Sequence, residues 1–275
     1  MKPASFDYAR CDEVNEALAL LAEHGDDARV MAGGQSLMAM LNMRMVKPAM
    51  LIDISGIAAL AYMREASGMI EVGAATTQAE LEAWPGIGSR VPLVAAALPN
   101  IGHFQTRNRG TVCGSLCHAD PSSELPLCLA TLGGEVVLRS RRGNRVLHAE
   151  DFQTGLLSTA KAPDEMMVAA RFPVAAKNSG YAFREISRRH GDFAIVALAA
   201  AVGGGKVRLG VGGIADKPAV RDWDNPDDKQ LPDALNDFAW ELGGNDDIHA
   251  TARYRREMVR RLGPKVIEEA RRCAS

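Results

Sequence analysis

Two short stretches constrain this chain more than any others: AGGQS at residues 32–36 and GTVCGS at residues 110–115. The first sits inside ARVMAGGQSLMAMLNMR, between a strand-like run and a Met/Leu-rich run that reads as helix. A double glycine there forces a tight strand–turn–helix junction. Its bare backbone N–H groups can approach a phosphate closely, and Ser and Thr add hydrogen bonds. Either loop taken alone reads more readily as an ordinary tight turn. Neither carries a standard phosphate signature, since the chain has no GxxxxGK(S/T) and no GxGxxG between a strand and a helix. ATP, GTP and a Rossmann-bound dinucleotide are therefore disfavoured.

The surrounding pattern is mixed. Asp12 is placed to cap a helix whose apolar face runs Val14, Leu18, Leu21. MLIDIS and MIEVGA read as strands, and Thr77-Gln78-Ala79-Glu80 is a capping box opening a short helix that stops near Pro85-Gly86. GEVVLRSRRGNRVLHAEDF predicts a hairpin around Arg142-Gly143-Asn144. VAAKNSG, after a strand ending at Pro173, is the best domain boundary. Beyond it KVRLGVGGI alternates Val207, Leu209 and Val211 with polar or glycine positions, a period of two. ADKPAVRDWDNPDDKQLPD is polar and proline-bearing, hence loop, and from Thr251 Tyr254, Met258, Leu262, Val266 and Ala270 recur every four residues as one helical face. The class is α+β.

Composition excludes several functions. A formal net charge of −2 leaves no electrostatic footprint for nucleic acid or an anionic membrane. The longest apolar run, Ala194 to Val202, is too short to span a bilayer. MKPASFDYAR lacks the apolar core of a signal peptide. Five cysteines make an odd number with no disulfide-scaffold density, so reduced thiols and a cytoplasmic location are expected. Cys113, Cys117, His118 and Cys128 could in principle supply four metal ligands, but no C-x-x-C pair exists and Cys128 lies in an apolar stretch where cysteine acts as a small hydrophobe. A cysteine nucleophile would need a partner base that the sequence does not show.

Taken in order, four stretches resemble one family along nearly the whole chain. AGGQSLMAMLNMRMVKPAMLIDIS is similar to the first flavin-binding segment of the FAD-binding (medium) subunits of molybdenum hydroxylases, and TRNRGTVCGSLCHADPSSELP to their second. GDFAIVALAAAV followed by RLGVGGIADKP resembles the start of their C-terminal domain. Carbon monoxide dehydrogenase medium subunits and the FAD segment of xanthine dehydrogenase belong to this family. The resemblance implies two N-terminal α/β subdomains forming a PCMH-type FAD cleft, residues 1–56 and 57–175, and a C-terminal α+β domain, residues 178–275, with a small antiparallel sheet and helices. By position, Ala32, Gly33, Gly34, Gln35 and Ser36 would cradle the pyrophosphate, flanked by Met31 and Leu37. Thr111, Gly114 and Ser115 would line the other side, with Ile101, Gly110, Cys113 and Cys117 nearby and Ser123 and Glu124 bonding polar parts of FAD. Met167, Arg184, Asp192 and Phe193 fall where the family places residues around the flavin or its tail. No catalytic acid–base residue and no metal ligand is implied for this chain.

One departure stands out. The family's second loop usually reads Gly-Gly-Asn, where this chain has Cys113-Gly114-Ser115. If position 113 required positive φ, cysteine there would cost roughly 1–2 kcal/mol. Only LCLATLGG separates Pro126 from Glu135, too little for the extra iron–sulfur insertion of some members. The resemblance further implies partner subunits, a small one with two [2Fe–2S] clusters and a large one with a molybdenum–pterin, in an (αβγ)2 assembly. Electrons would pass from the clusters to an external acceptor through FAD on this chain. The alternatives are a self-sufficient FAD-dependent reductase or oxidase, and a non-enzymatic Cys/His metal module.

Overall fold

The computed structural model describes residues 2–224, 226–227 and 229–274. The N-terminal strands are parallel, so each pair needs a crossover. β1 (Asp7–Arg10), α1 (Val14–His24), β2 (Ala28–Met31), α2 (Leu37–Asn42) and β3 (Met50–Asp53) supply them, giving a three-stranded sheet in the order β1-β3-β2. Val14, Ala17, Leu18 and Leu21 are the buried face of α1, at the expected helical spacing. The cap is one residue later than expected. Glu13 precedes the helix, and the Glu16 carboxylate accepts from the backbone N–H groups of Asp12 and Glu13, a reach Asp12 itself does not make.

The next unit is antiparallel. β4 (Met63–Ala66) and β5 (Met69–Gly73) lead into six short helices: α3 (Gln78–Ala83), α4 (Ile87–Arg90), α5 (Pro92–Ala97), α6 (Phe104–Arg107), α7 (Val112–His118) and α8 (Glu124–Leu132). β6 (Glu135–Ser140), β7 (Gly143–His148), α9 (Ala149–Phe152), the ribbon β8 (Gln153–Gly155) and β9 (Ser158–Thr159), and β10 (Met166–Pro173) follow, and the main sheet runs β4-β5-β10-β6-β7. Thr77 caps α3 as expected, its hydroxyl accepting from Glu80 N–H while Glu80 accepts from Thr77 N–H. The β6–β7 hairpin forms, with Ser140 opposite Gly143, so the turn is Arg141-Arg142. Glu71 anchors this sheet: its carboxylate, 4% exposed, accepts from Tyr62 Oη at 2.8 Å, Arg64 Nη2 at 2.5 Å and Arg171 Nε at 2.7 Å.

A four-stranded antiparallel sheet, β11 (Gly180–Ile186), β12 (Val196–Gly203), β13 (Lys206–Gly212) and β14 (Ala219–Asp224), is followed by α10 (Leu231–Glu241) and α11 (Ala252–Cys273). The apolar run expected from 194–202 is β12, and period two splits it. Ala197 and Ala199 join the core with α5 and α8, whereas Val196, Leu198 and Ala200 face the α10/α11 side. Close approach of α8 explains glycine in β13, because a Cβ on Gly210 would lie 2.9 Å from Leu127 Cδ1.

Two expectations change here. The polar stretch read as loop contains β14, an edge strand bonded only to β13, where charged residues remain solvated on one side and Trp223 turns inward to meet Phe238 edge-on at 5.8 Å. In α11 the buried stripe is Arg255, Val259, Gly263, Val266, Ile267 and Ala270, and Tyr254 is 42% exposed. A buried arginine hid the stripe. Its guanidinium donates to the carbonyls of Ile195 and Gly213 and pairs with Asp247.

Candidate functional site

Met31 and Asp53 are register partners at the carboxyl ends of β2 and β3, where a parallel sheet leaves a crevice. Residues 32–36 leave the sheet there and turn into α2. Gly34 takes φ +70°, the left-handed region, and its carbonyl accepts from Met38 N–H at 3.1 Å. Among the described residues, no protein acceptor receives the backbone N–H groups of Gly33, Gly34, Gln35, Ser36 or Leu37. Five donors of one short loop are thus left without a protein acceptor, and the Ser36 hydroxyl makes no cap bond either.

The second loop braces the first. A Cβ on Gly33 would lie 2.7 Å from the Arg109 carbonyl carbon and 2.8 Å from Gly110 Cα, and nearer still to the Arg109 oxygen. Only glycine permits this backbone-on-backbone contact. Gly110 is held in turn by Gln78 N–H, which donates to its carbonyl at 2.8 Å, and by its own N–H to Thr106 O at 2.6 Å. Thr111 pairs with Thr77 in an isolated bridge and caps α7, accepting from Gly114 N–H at 3.0 Å. Its hydroxyl is therefore engaged within the chain, and the residue is 5% exposed.

Between the loops opens a cleft of about 440 Å³, bordered by residues 31–35, Met38, Asp53, Ser55 and Arg109. Four of these were not expected from the sequence: Met38, Asp53, Ser55 and Arg109. The placement of Asp53 follows from the parallel-strand crevice rule once β3 is known to be parallel, which the sequence does not state. Burial by itself would raise the Asp53 carboxyl, but hydrogen bonds from Tyr8 Oη (2.6 Å) and Ser55 N–H (2.8 Å) hold it below its ordinary value. The Arg109 side chain makes no hydrogen bond or ion pair with a described residue, so its guanidinium borders the cleft together with the unpaired N–H groups of Gly33, Gly34 and Gln35.

The cysteines go their separate ways. Cys113 is the second residue of α7 and is not among the positive-φ residues, so the strain considered for it does not arise. Its thiol is buried, 3.6 Å from Val72 O, and burial pushes it well above the usual thiol range. Cys117 lies 3.9 Å from Met167 Sδ, so Met167 backs α7 from beneath, and burial raises the Cys117 thiol to about 11. Cys128 contacts Leu93 O of α5. No group of three or more His, Cys, Asp or Glu among the described residues could hold a metal ion.

Gly114 is exposed and Ser115 half-buried on α7. Ser123 precedes α8, in a turn where Asp120 Oδ1 accepts from Ser122 N–H at 2.8 Å. Glu124, 6% exposed, is pushed to about 7 by burial, with the Asp120 charge adding to it. The loops that carry Ile101 and Phe193 touch at Gly191, where a Cβ would lie 2.8 Å from Gly102 O and from His103 Cε1. Phe193 and Phe104 are exposed at 65% and 63%. Asp192 pairs locally with Arg188 and Arg189. Arg184 is not brought to the cleft: it lies on the α11 side of the C-terminal sheet, paired with Glu269 at 2.8 Å.

Residues 4–175 match the family described as the FAD binding domain in molybdopterin dehydrogenase. The chain is 42% identical to caffeine dehydrogenase subunit beta of Pseudomonas sp. (strain CBB1) over 74% of this chain and 69% of that one. It is 34% identical to the glyceraldehyde dehydrogenase medium chain of Sulfolobus acidocaldarius over 98% of this chain and 99% of that one. In structure it is similar to a chain of carbon monoxide dehydrogenase from Hydrogenophaga pseudoflava, with a TM-score of 0.92, 29% identity and 98% of each chain covered.

Proposed function

From the premise that this chain belongs to the family of FAD-binding domains of molybdopterin dehydrogenases, we propose that it is the electron-transfer subunit of a molybdenum hydroxylase, standing between the clusters of an iron–sulfur subunit and an external acceptor. The observation that carries the reading is the first loop: it leaves five backbone N–H groups unpaired, is locked against the second loop at Gly33, and borders one cleft with Arg109 through Gly33, Gly34 and Gln35. That donor set fits a pyrophosphate, the most highly charged part of FAD.

Ala32, Gly33, Gly34, Gln35 and Ser36 hold the pyrophosphate, with Met31 and Leu37 at its flanks and Arg109 as a counter-charge. Gly110, Thr111, Cys113, Gly114, Ser115 and Cys117 form the opposite wall, and Ser123 and Glu124 bond polar groups of the cofactor. Ile101, Asp192 and Phe193 would lie toward the flavin ring, and Met167 would support that wall from behind. Arg184 has no part in this site, given its place beside α11. When bound, FAD supplies both one- and two-electron chemistry. The chain's own work is binding, orientation and exclusion of water, for which no acid–base residue is required. On this reading residues 1–56 and 57–175 would hold the cofactor from two sides, and 178–275 forms the C-terminal domain.

The small subunit carries two [2Fe–2S] clusters and the large one the molybdenum–pterin, in an (αβγ)2 assembly located in the cytoplasm. Among the described residues, no helix is long and apolar enough to cross a membrane. The test is an absorption spectrum of the chain co-expressed with its partner subunits, followed by cofactor release and metal analysis. About one FAD per chain is expected, with iron and molybdenum only in the co-purifying subunits. Zinc or iron on this chain without flavin would overturn the reading, and turnover by the isolated chain would favour a self-sufficient flavoenzyme.

A further inference from the structure

Of the residues that border the phosphate cleft, Asp53 is the acidic one. It ends β3 beside Met31, whose carbonyl accepts from Ile54 N–H at 2.9 Å. Asp53 thus stands one strand spacing, about 4.8 Å, from the residue that opens into the 32–36 loop, and the two side chains share a face of the sheet. The residue is 6% exposed. Its Oδ2 accepts from Tyr8 Oη at 2.6 Å and its Oδ1 from Ser55 N–H at 2.8 Å. Burial by itself would raise the carboxyl, but those bonds and the Arg10 charge hold it down, so it is ionised at neutral pH. A carboxylate offers about four acceptor sites, and two are taken.

A negative charge beside donors suited to phosphate opposes phosphate binding. An asparagine would close the same turn with Ser55 N–H and meet Tyr8 Oη without that charge. Arg109 borders the cleft but forms no ion pair with Asp53, so the carboxylate is not there to hold the guanidinium. What a carboxylate adds over an amide is stronger acceptance from a hydroxyl group. The groups at both ends of the FAD pyrophosphate are hydroxylated: ribose on one side, the ribityl chain on the other. An acid near a strand end takes a ribose hydroxyl in this way in other parallel-sheet nucleotide sites.

We propose that Asp53 is a cofactor-selecting residue, whose carboxylate accepts a hydrogen bond from a sugar hydroxyl next to the pyrophosphate. The identity of the ligand rests on the flavin reading above; the chemistry of the contact, a carboxylate against a hydroxylated sugar, does not. Asp53 then sets a preference rather than a general affinity. It disfavours a bare phosphate or pyrophosphate through charge, and favours one that carries its hydroxylated sugar.

The experiment uses the full chain with its partner subunits, freed of flavin, and measures binding of FAD, FMN, ADP and dideoxy-ADP, the last lacking both ribose hydroxyls. Asp53→Asn keeps the volume and the turn. Asp53→Ser, which also accepts from Ser55 N–H, repeats each measurement so that a folding defect in one variant does not decide the result. If the ribose is the donor, wild type should prefer ADP over dideoxy-ADP by about tenfold. Asp53→Asn should cut that preference to about threefold or less while binding dideoxy-ADP no more weakly than wild type does. If the ribityl chain is the donor, wild type should not separate the two nucleotides, and Asp53→Asn should weaken FMN about tenfold with dideoxy-ADP unaffected. A merely structural role would lower all four ligands alike; that result overturns the proposal, as does an unchanged preference in both variants. If wild type separated ADP from dideoxy-ADP but took up neither FAD nor FMN, the flavin reading would fail and the role of Asp53 would stand. FAD binding that neither variant alters would do the reverse.

Discussion

Replacing Gly33 by alanine removes no group from the molecule, yet it should disable the cofactor cleft. The added Cβ would stand 2.7 Å from the Arg109 carbonyl carbon and 2.8 Å from Gly110 Cα. An ordinary contact between carbon atoms is about 3.5–4.0 Å, so the two loops must part by roughly 1 Å. Both obstacles are backbone, and no side chain can swing away to absorb the shift. Overpacking of this kind costs about 1–3 kcal/mol. The larger effect is on binding, because donors aimed jointly at one phosphate no longer converge. Losing two charge-assisted hydrogen bonds at about 1.5–3 kcal/mol each weakens FAD binding by a hundredfold or more. FAD titration by flavin fluorescence, beside denaturant unfolding of the flavin-free protein, separates the two effects. Gly34→Ala is the comparison, since φ +70° costs the new residue about 1–2 kcal/mol but its nearest neighbour, Met38 Cγ, is 3.4 Å away. If Gly33→Ala bound FAD within about threefold of wild type while folded, the bracing argument would be wrong.

Arg109→Gln should weaken FAD binding about tenfold and flatten its salt dependence, measured by titration at two ionic strengths; an unchanged salt response would remove Arg109 from the pyrophosphate site. Cys113→Gly, which restores the residue usual in the family, should destabilise rather than relax the protein. The thiol is buried in a helix with no positive φ to relieve, so about 1–2 kcal/mol should be lost in denaturant unfolding with FAD affinity unchanged. Glu71 is held below the usual carboxylate range, because its bonds from Arg171, Tyr62 and Arg64 outweigh the effect of burial. Its contribution to stability is therefore present above the ordinary glutamate value and lost as pH falls through the lowered one. Glu71→Gln should shrink the acid-side loss of stability in unfolding curves taken between about pH 5 and pH 3, and an unaltered acid limb would refute this.

The sequence was most legible where a local rule acts alone. Thr77 and Glu80 cap a helix because a hydroxyl and a carboxylate three residues apart satisfy two orphan N–H groups, whatever lies beyond. Period two in KVRLGVGGI survives because Val207, Leu209 and Val211 fill the core beneath α10 and α11 while glycine on the other face leaves room for α8. Legibility failed where a neighbour overrode the local signal. β14 is polar because it is an edge strand, and α11 buries an arginine because the carbonyls of Ile195 and Gly213 wait for it. Arg184 fell in a family-like position, but strand alternation turned it to the opposite face of its sheet.

By itself the sequence determined the strand–turn–helix at 28–42, the glycines that leave backbone donors bare, and the ordered motifs that identify the family. It could not say that Gly33 packs on Arg109–Gly110, a contact between residues more than seventy positions apart, nor that Asp53 and Arg109 border the same cleft. Periodicity and capping are decided within a turn or two of chain. Which loops touch, and which carboxyl comes to border a cleft, depends on how the sheets and helices pack, and only the tertiary structure sets those distances.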